Sequence, residues 1–253
     1  MLDWEKQCFV DGAPGRNPVL PNRIGYSSPL AVVTGGSGNL GPVWIDTLRG
    51  MGYRVHNIDL PQFDVSDRER MQYAANRCIA VHGVPSVIVL NAAIDAPPGS
   101  MATFHGNLDR IIDVNLKGAA WTVEAFLPAM IKEGRGVIVG ISSIQAHAGS
   151  DWRNYEGTFE KPCGYGMSKA ALEQYARSLT VQYGRYGIRA CCIGFGCYDS
   201  GKVDPVFSEK YLKNVPTGKL VSEQSARAAL TFALTCPEFA GQACIIDGGY
   251  LSL

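Results

Sequence analysis

The amino-acid sequence predicts an α/β fold built on a doubly wound parallel sheet in a single domain. Three observations lead there. Short apolar runs rich in β-branched residues recur along the chain, helical patterns separate them, and a glycine-rich turn sits where the first run enters the first helix. Parallel strands covered on both faces read as continuous apolar runs, and a crossover helix must return the chain to each parallel neighbour.

The elements follow in order. Residues 1–28, rich in Pro, Gly and Asn and without a period, read as an N-terminal extension, and the domain runs over 29–253. "LAVVT" (30–34), "YRVHNI" (53–58), "SVIVL" (86–90), "GVIVGI" (136–141), "IRACCI" (188–193) and "ACIID" (243–247) read as buried strands. Helical patterns lie near 40–50, 66–82, 107–133, 164–184 and 222–235. There is no internal repeat, low-complexity tract or linker.

Composition narrows the partners. A hydrophobic fraction of 46% with 29 glycines is that of an ordinary globular protein. With 23 basic and 23 acidic residues the formal net charge is zero, which offers no electrostatic footprint for nucleic acid or an anionic membrane. No apolar run approaches the roughly 18 residues of a membrane span. A small-molecule substrate is the expected partner. The eight cysteines make no CxxC pair and no zinc-ligand spacing, so no metal is expected and the thiols read as reduced. The opening "MLDWEKQCFVDGAPGRNP" has neither a basic n-region nor an apolar h-region, and a cytoplasmic protein is expected.

"AVVTGGSGNLG" carries the first functional signal. Two glycine templates overlap in it, Gly36, Gly38 and Gly41 or Gly35, Gly38 and Gly41. Either supplies a tight turn and a bare backbone for a pyrophosphate at the positive end of a helix. Gly35, Ser37, Gly38, Asn39, Leu40 and Gly41 are thus the candidate cradle of a Rossmann-type dinucleotide site. Asp59 ends the second strand, 18 positions after Gly41. A carboxylate there accepts bonds from the adenosine ribose hydroxyls and repels a 2′-phosphate, so the expected cofactor is NAD rather than NADP. Asp64 and Val65 could flank the adenine ring, or Asp64 or Ser66 could simply cap the next helix.

"YGMSKA" places Tyr165 and Lys169 four positions apart in a segment of good helix formers, on one helix face. A second such pair, Tyr198 and Lys202 in "YDSGK", spans a turn-like composition where the helical offset carries no meaning.

These pieces, in this order, resemble the short-chain dehydrogenase/reductase family from about residue 30 to 249: "TGGSGNLG", Asp59, "DVSD", "LNAA", "VNLKG", "GISS", "YGMSK", "GFGCYDS" and "IIDGG". The resemblance implies Tyr165 as general acid/base, with Lys169 lowering its pKa and bonding the nicotinamide ribose. It implies Ser143 on the reacting oxygen and Asn115 holding a water that links Lys169 to solvent. Asn91, Ala92 and Ala93 would line the cofactor, and the Tyr198 backbone and Ser200 hydroxyl would reach its carboxamide. The family's paired helices imply a homodimer or homotetramer here. Three departures stand out: Asn39 in place of a frequent glycine, "LNAA" in place of "NNAG", and Phe195 in place of a proline.

Between Ser143 and Tyr165 lie 21 residues, and "AHAGSDWRNYEGTFEKPCG" among them mixes aromatic and charged groups. Rings beside hydrogen-bonding groups suit a hydroxylated ligand, so Arg153, Tyr155 and Glu156 are the candidate substrate residues, with Arg153 suited to an anionic group. "YEGT" followed by "YGMSKA" is similar to a subgroup found in bacterial surface-sugar and nonulosonate loci. The expected activity is an NAD-dependent interconversion of a secondary alcohol and a ketone on a sugar or sugar derivative. A nucleotide-sugar epimerase or dehydratase and a non-catalytic NAD-binding regulatory protein are the alternatives.

Overall fold

The computed structural model describes residues 28–95, 107–155 and 161–252. The expected extension over 1–28 lies outside the described residues except for Ser28, and so does Glu156. Six strands, β1 (Leu30–Thr34), β2 (Arg54–Ile58), β3 (Val87–Leu90), β4 (Gly136–Ser143), β5 (Ile188–Phe195) and β6 (Ala243–Ile246), form one parallel sheet in the order β2-β1-β3-β4-β5-β6. The chain leaves β1 in one direction to reach β2 and returns to its other side for β3. That reversal opens a crevice at the carboxyl ends of β1 and β3, where open α/β sheets bind ligands.

Alternate residues of each central strand feed opposite layers. Val32, Ile88 and Ile138 pack toward α2 (Arg68–His82), α4 (Gly118–Glu133) and α5 (Gly164–Tyr183), with Met71, Phe126 and Leu172 among their neighbours. Val33, Val89 and Val139 pack on the other face against Trp44 and Leu48 of α1 (Gly41–Gly50) and Leu230 of α7 (Glu223–Thr235). The central strands are buried, as their composition predicts. β2 and β6 are not: they are the sheet's two edges and most of their residues are half-buried.

Two further differences bear on the site. The helix expected over 107–133 is interrupted. A short α3 (Leu108–Ile112) passes through a π-helical turn at Asp113–Lys117 before α4 begins. Such turns gather at functional positions, and this one carries Asn115. The sequence reading also lacked α6 (Pro205–Leu212). Its signal was present: Asp204 caps it by accepting from the Phe207 N–H at 2.8 Å, and Pro205 fills the first turn. Among the described residues no helix is long and apolar enough to cross a membrane. The seven described cysteines are free thiols, and Cys8 lies outside the described residues.

Candidate active site

The turn after β1 has room for a side chain at neither Gly35 nor Gly36. Gly35 has φ +64° and a Cβ there would stand 2.7 Å from the Ala92 Cα, while one at Gly36 would stand 2.4 Å from Asn57 Oδ1. At Gly41 a Cβ would meet the Gly36 carbonyl carbon at 2.3 Å, so the start of α1 seats directly on the turn. The Gly36 N–H donates to Asn57 Oδ1 at 3.0 Å and the Ser37 N–H to Asp59 Oδ2 at 2.6 Å, tying the turn to the end of β2. α1 has no acidic residue in its first turn, which leaves its positive end uncompensated from within the helix.

A cleft of about 320 Å³ opens over this turn. It is lined by Gly35, Gly38, Asn39, Leu40, Asp59, Asp64, Val65, Asn91, Ala92, Ala93, Tyr165 and Lys169, most of the expected cofactor residues. The bare glycine turn, the helix N-terminus and a carboxylate one strand away fit a dinucleotide. Ser37, Gly38 and Asn39 also line a second opening together with Tyr198 and Ser200. The latter two therefore lie beside the phosphate turn. Tyr198 sits in an isolated β-bridge to Val221, so its offset from Lys202 is not helical.

Several neighbours of the cleft escaped the sequence reading. Arg110 of α3 lines it and pairs with Asp64 Oδ2 at 2.9 Å while donating to Ser66 Oγ at 2.7 Å. Burial alone would raise the Asp64 carboxyl, but hydrogen bonds from Ser66 and Arg110 hold it below its ordinary value. The Asn91 amide is occupied by the protein. It donates to the carbonyls of Thr34 at 3.1 Å and Gly35 at 2.7 Å and accepts from the Trp44 indole at 2.8 Å. Trp44 in turn stacks on Phe195, with centroids 5.8 Å apart, so the departure at Phe195 is a packing contact under the turn.

Ser143, Tyr165, Lys169 and Asn115 come from three elements and converge. Ser143 ends β4 and Tyr165 lies in the first turn of α5, which brings the Ser143 hydroxyl beside the phenol. Lys169, one turn on, is 3% exposed and donates from Nζ to the Ile141 carbonyl at 2.7 Å. Asn115 accepts from the Ile94 N–H at 2.8 Å and donates to the Ile94 carbonyl at 2.9 Å and Ser168 Oγ at 3.0 Å. The amide expected to hold a water is thus committed to protein groups. It fixes the stretch after β3 to the helix of Tyr165.

Burial dominates the electrostatics here. It pushes the Tyr165 phenol well above its ordinary value, the Asp95 carboxylate adds to the rise, and the nearby Ser143 hydroxyl offsets only part of it. Burial also lowers Lys169 to about 8. Desolvation of the buried phenolate thus sets the direction at Tyr165.

The segment after β4 is docked onto other parts of the molecule. Arg153 makes a forked pair with Asp151, at 2.8 Å from Nη2, on a side chain two-thirds exposed. Its guanidinium is turned to that carboxylate, contrary to a role in holding an anionic substrate group. Tyr155 packs against Phe207 of α6, with centroids 5.1 Å apart, and burial pushes its phenol up to about 12. The stack continues from Phe207 to Tyr211 and Tyr250.

Comparison with known proteins agrees with this geometry. Residues 52–251 match the family described as enoyl-(acyl carrier protein) reductase. The chain belongs to the short-chain dehydrogenase/reductase family of oxidoreductases. An acetoacetyl-CoA reductase of Synechocystis is 26% identical over 84% of this chain and 90% of its own. A sorbitol-6-phosphate 2-dehydrogenase of Klebsiella pneumoniae is 26% identical over 71% of this chain and 73% of its own. Among solved structures, a gluconate 5-dehydrogenase from Burkholderia cenocepacia, in complex with NADP and tartrate, superposes with a TM-score of 0.75. It is 22% identical, over 89% of this chain and 96% of that one.

Proposed function

We propose that this protein is an NAD-dependent oxidoreductase that interconverts a secondary alcohol and a ketone on a small hydroxylated substrate, a sugar or sugar derivative. The observation that carries the reading is Tyr165 and Lys169, one turn apart on the wall of the cleft that also holds Asp59, with Ser143 at the end of β4 beside the phenol. The bound nicotinamide supplies the hydride chemistry. The chain's own residues do the rest. Tyr165 gives or takes the proton at the substrate oxygen, Ser143 donates a hydrogen bond to that oxygen, and Lys169 holds positive charge beside both. Asn115 acts as a positioning residue, since its amide locks Ile94 to Ser168.

The choice of NAD rests on Asp59, whose carboxylate accepts from the Ser37 and Leu60 N–H groups and retains acceptor capacity for two ribose hydroxyls. The sugar reading is supported by the sorbitol-6-phosphate dehydrogenase likeness, and by the similarity of "YEGT" with "YGMSKA" to enzymes of bacterial surface-sugar loci. We infer a cytoplasmic homo-oligomer, on the free thiols and on α5, which leaves Met167 51% and Val181 84% exposed. The test is to mix the purified protein with NAD+ and a panel of polyols and sugar acids and follow NADH. Net NADH formation is expected, whereas an epimerase would return its hydride and show none. Absence of net NADH across the panel, and of NADH consumption with the matching ketones, overturns the reading.

A further inference from the structure

We propose that the Asp95–Lys161 ion pair is a specificity element on the substrate side of Tyr165, admitting a neutral hydroxyl-bearing substrate and rejecting an anionic one. The inference deepens the oxidoreductase reading and rests on Tyr165 marking the reacting oxygen.

Lys161 Nζ lies 2.6 Å from Asp95 Oδ2 and 5.6 Å from the centre of the Tyr165 ring. Its side chain is only 8% exposed, whereas that of Asp95 is 37% exposed, so the carboxylate remains reachable from solvent. A buried ammonium is costly without a partner, which ties Lys161 to Asp95. Asp95 is itself held in register. It follows Ile94, whose N–H and carbonyl are both bonded by Asn115, and Asn115 reaches on to Ser168 in the helix of Tyr165. Ile94 and Tyr165 line the dinucleotide cleft, but Asp95 and Lys161 do not. The pair therefore flanks Tyr165 away from the cofactor wall, where a substrate carbon next to the carbinol would lie.

The charge arrangement decides the substrate class. Among the described residues between Ser143 and Tyr165, every basic side chain faces a carboxylate: His147 faces Glu173, Arg153 faces Asp151 and Lys161 faces Asp95. Lys210 of α6 donates to the Tyr155 carbonyl at 3.2 Å. A phosphate or carboxylate arriving beside Tyr165 would find the Lys161 charge already compensated and would be repelled by Asp95. A hydroxyl has no such conflict. It can donate to the Asp95 carboxylate and accept from the Lys161 ammonium, and neighbouring hydroxyls of a polyol can do both. The field of Asp95 at Tyr165 is a second sign that the carboxylate sits close to the reacting centre.

The test is calorimetric titration of the NADH-loaded protein with sorbitol, gluconate and sorbitol 6-phosphate, which needs no turnover. Wild type should bind sorbitol about tenfold or more tighter than either anion, a difference of about 1.4 kcal/mol. Asp95→Asn strips the compensating charge from Lys161, so gluconate and sorbitol 6-phosphate should gain about tenfold and sorbitol should weaken. Lys161→Met should weaken the anions further, and the double variant should lose the charge preference. NADH affinity should stay constant throughout. If Asp95→Asn does not fold, Lys161→Met alone decides. Wild-type preference for an anion, single variants with an unchanged ratio, or no binding of any of the three probes overturns the proposal. Net NADH formation with an unchanged charge ratio sinks this inference alone. The expected charge ratios without turnover would sink the oxidoreductase reading instead.

Discussion

The ammonium of Lys169 stands 5.4 Å from the centre of the Tyr165 ring while it donates to the Ile141 carbonyl at 2.7 Å. Helical spacing brings the two side chains to one face of α5, and β4 receives the lysine. The ammonium faces the ring without bonding the hydroxyl, and burial works against both charged forms. In the described geometry Tyr165 retains its proton, as a donor to a substrate carbonyl must.

Tyr165→Phe should therefore lower turnover by about a hundredfold or more, the usual cost of losing a general acid/base. Folding should persist, because only a hydroxyl is lost. Tyr198→Phe should leave turnover within a few-fold, since Tyr198 faces the phosphate turn. Steady-state kinetics and circular dichroism on both variants check this, and near wild-type turnover in Tyr165→Phe would sink the mechanism.

The pH dependence follows from Lys169. The quantity kcat/KM reports groups of the free enzyme, and Lys169 loses its charge there at about 8 while the raised Tyr165 stays protonated. Ketone reduction should be level below that pH and fall above it, by about tenfold per pH unit. Lys169→Arg keeps its charge, so its profile should stay level at whatever rate it retains. For stability the sign is opposite to that of a stabilising pair. The folded lysine binds its proton less tightly than the unfolded one, so the cost is complete below about 8 and fades as pH rises toward 10.5. A reduction profile that stays level well above pH 8 would contradict this assignment.

Cofactor choice depends on one carboxylate. Asp59 lines the cleft where an adenosine ribose would lie, and the guanidinium at that end, Arg110, is paired with Asp64. NAD(H) should bind more tightly than NADP(H), and Asp59→Ala should narrow the gap by about tenfold. Fluorescence titration of both reduced cofactors measures it; equal affinities in wild type would reject the assignment.

What the sequence made legible follows from how local each signal is. The central strands and the glycine turn were readable because burial on both faces and a positive φ each demand particular residue types in a short stretch. The edge strands β2 and β6 were read as buried because composition reports apolarity and not a strand's place in the sheet. The π turn at Asn115 left no signal in the helical period, since it answers to Ile94 and Ser168 from distant segments. Asp95 and Lys161 were missed for the same reason: 66 positions separate them, and only the fold makes them a pair.

The segment after β4 is held by α6 and not by Arg153. Arg153 was the residue suited to an anionic substrate, but its guanidinium is occupied by Asp151 on an exposed surface. Arg153→Ala should thus leave stability almost unchanged and leave KM unchanged for neutral and anionic substrates alike. Tyr155 differs because its ring is the first of a stack through Phe207 and Tyr211 to Tyr250. Asn154 reinforces that docking by donating to the Tyr250 hydroxyl at 3.1 Å. Tyr155→Ala removes half-buried ring surface and should cost about 2 kcal/mol of stability. It should also free the segment from α6, raising KM for the substrate severalfold while NAD affinity holds. Thermal denaturation and initial-rate kinetics on the two variants separate the roles. A KM for gluconate that rises tenfold in Arg153→Ala and stays constant in Tyr155→Ala would restore Arg153 as the anion-binding residue.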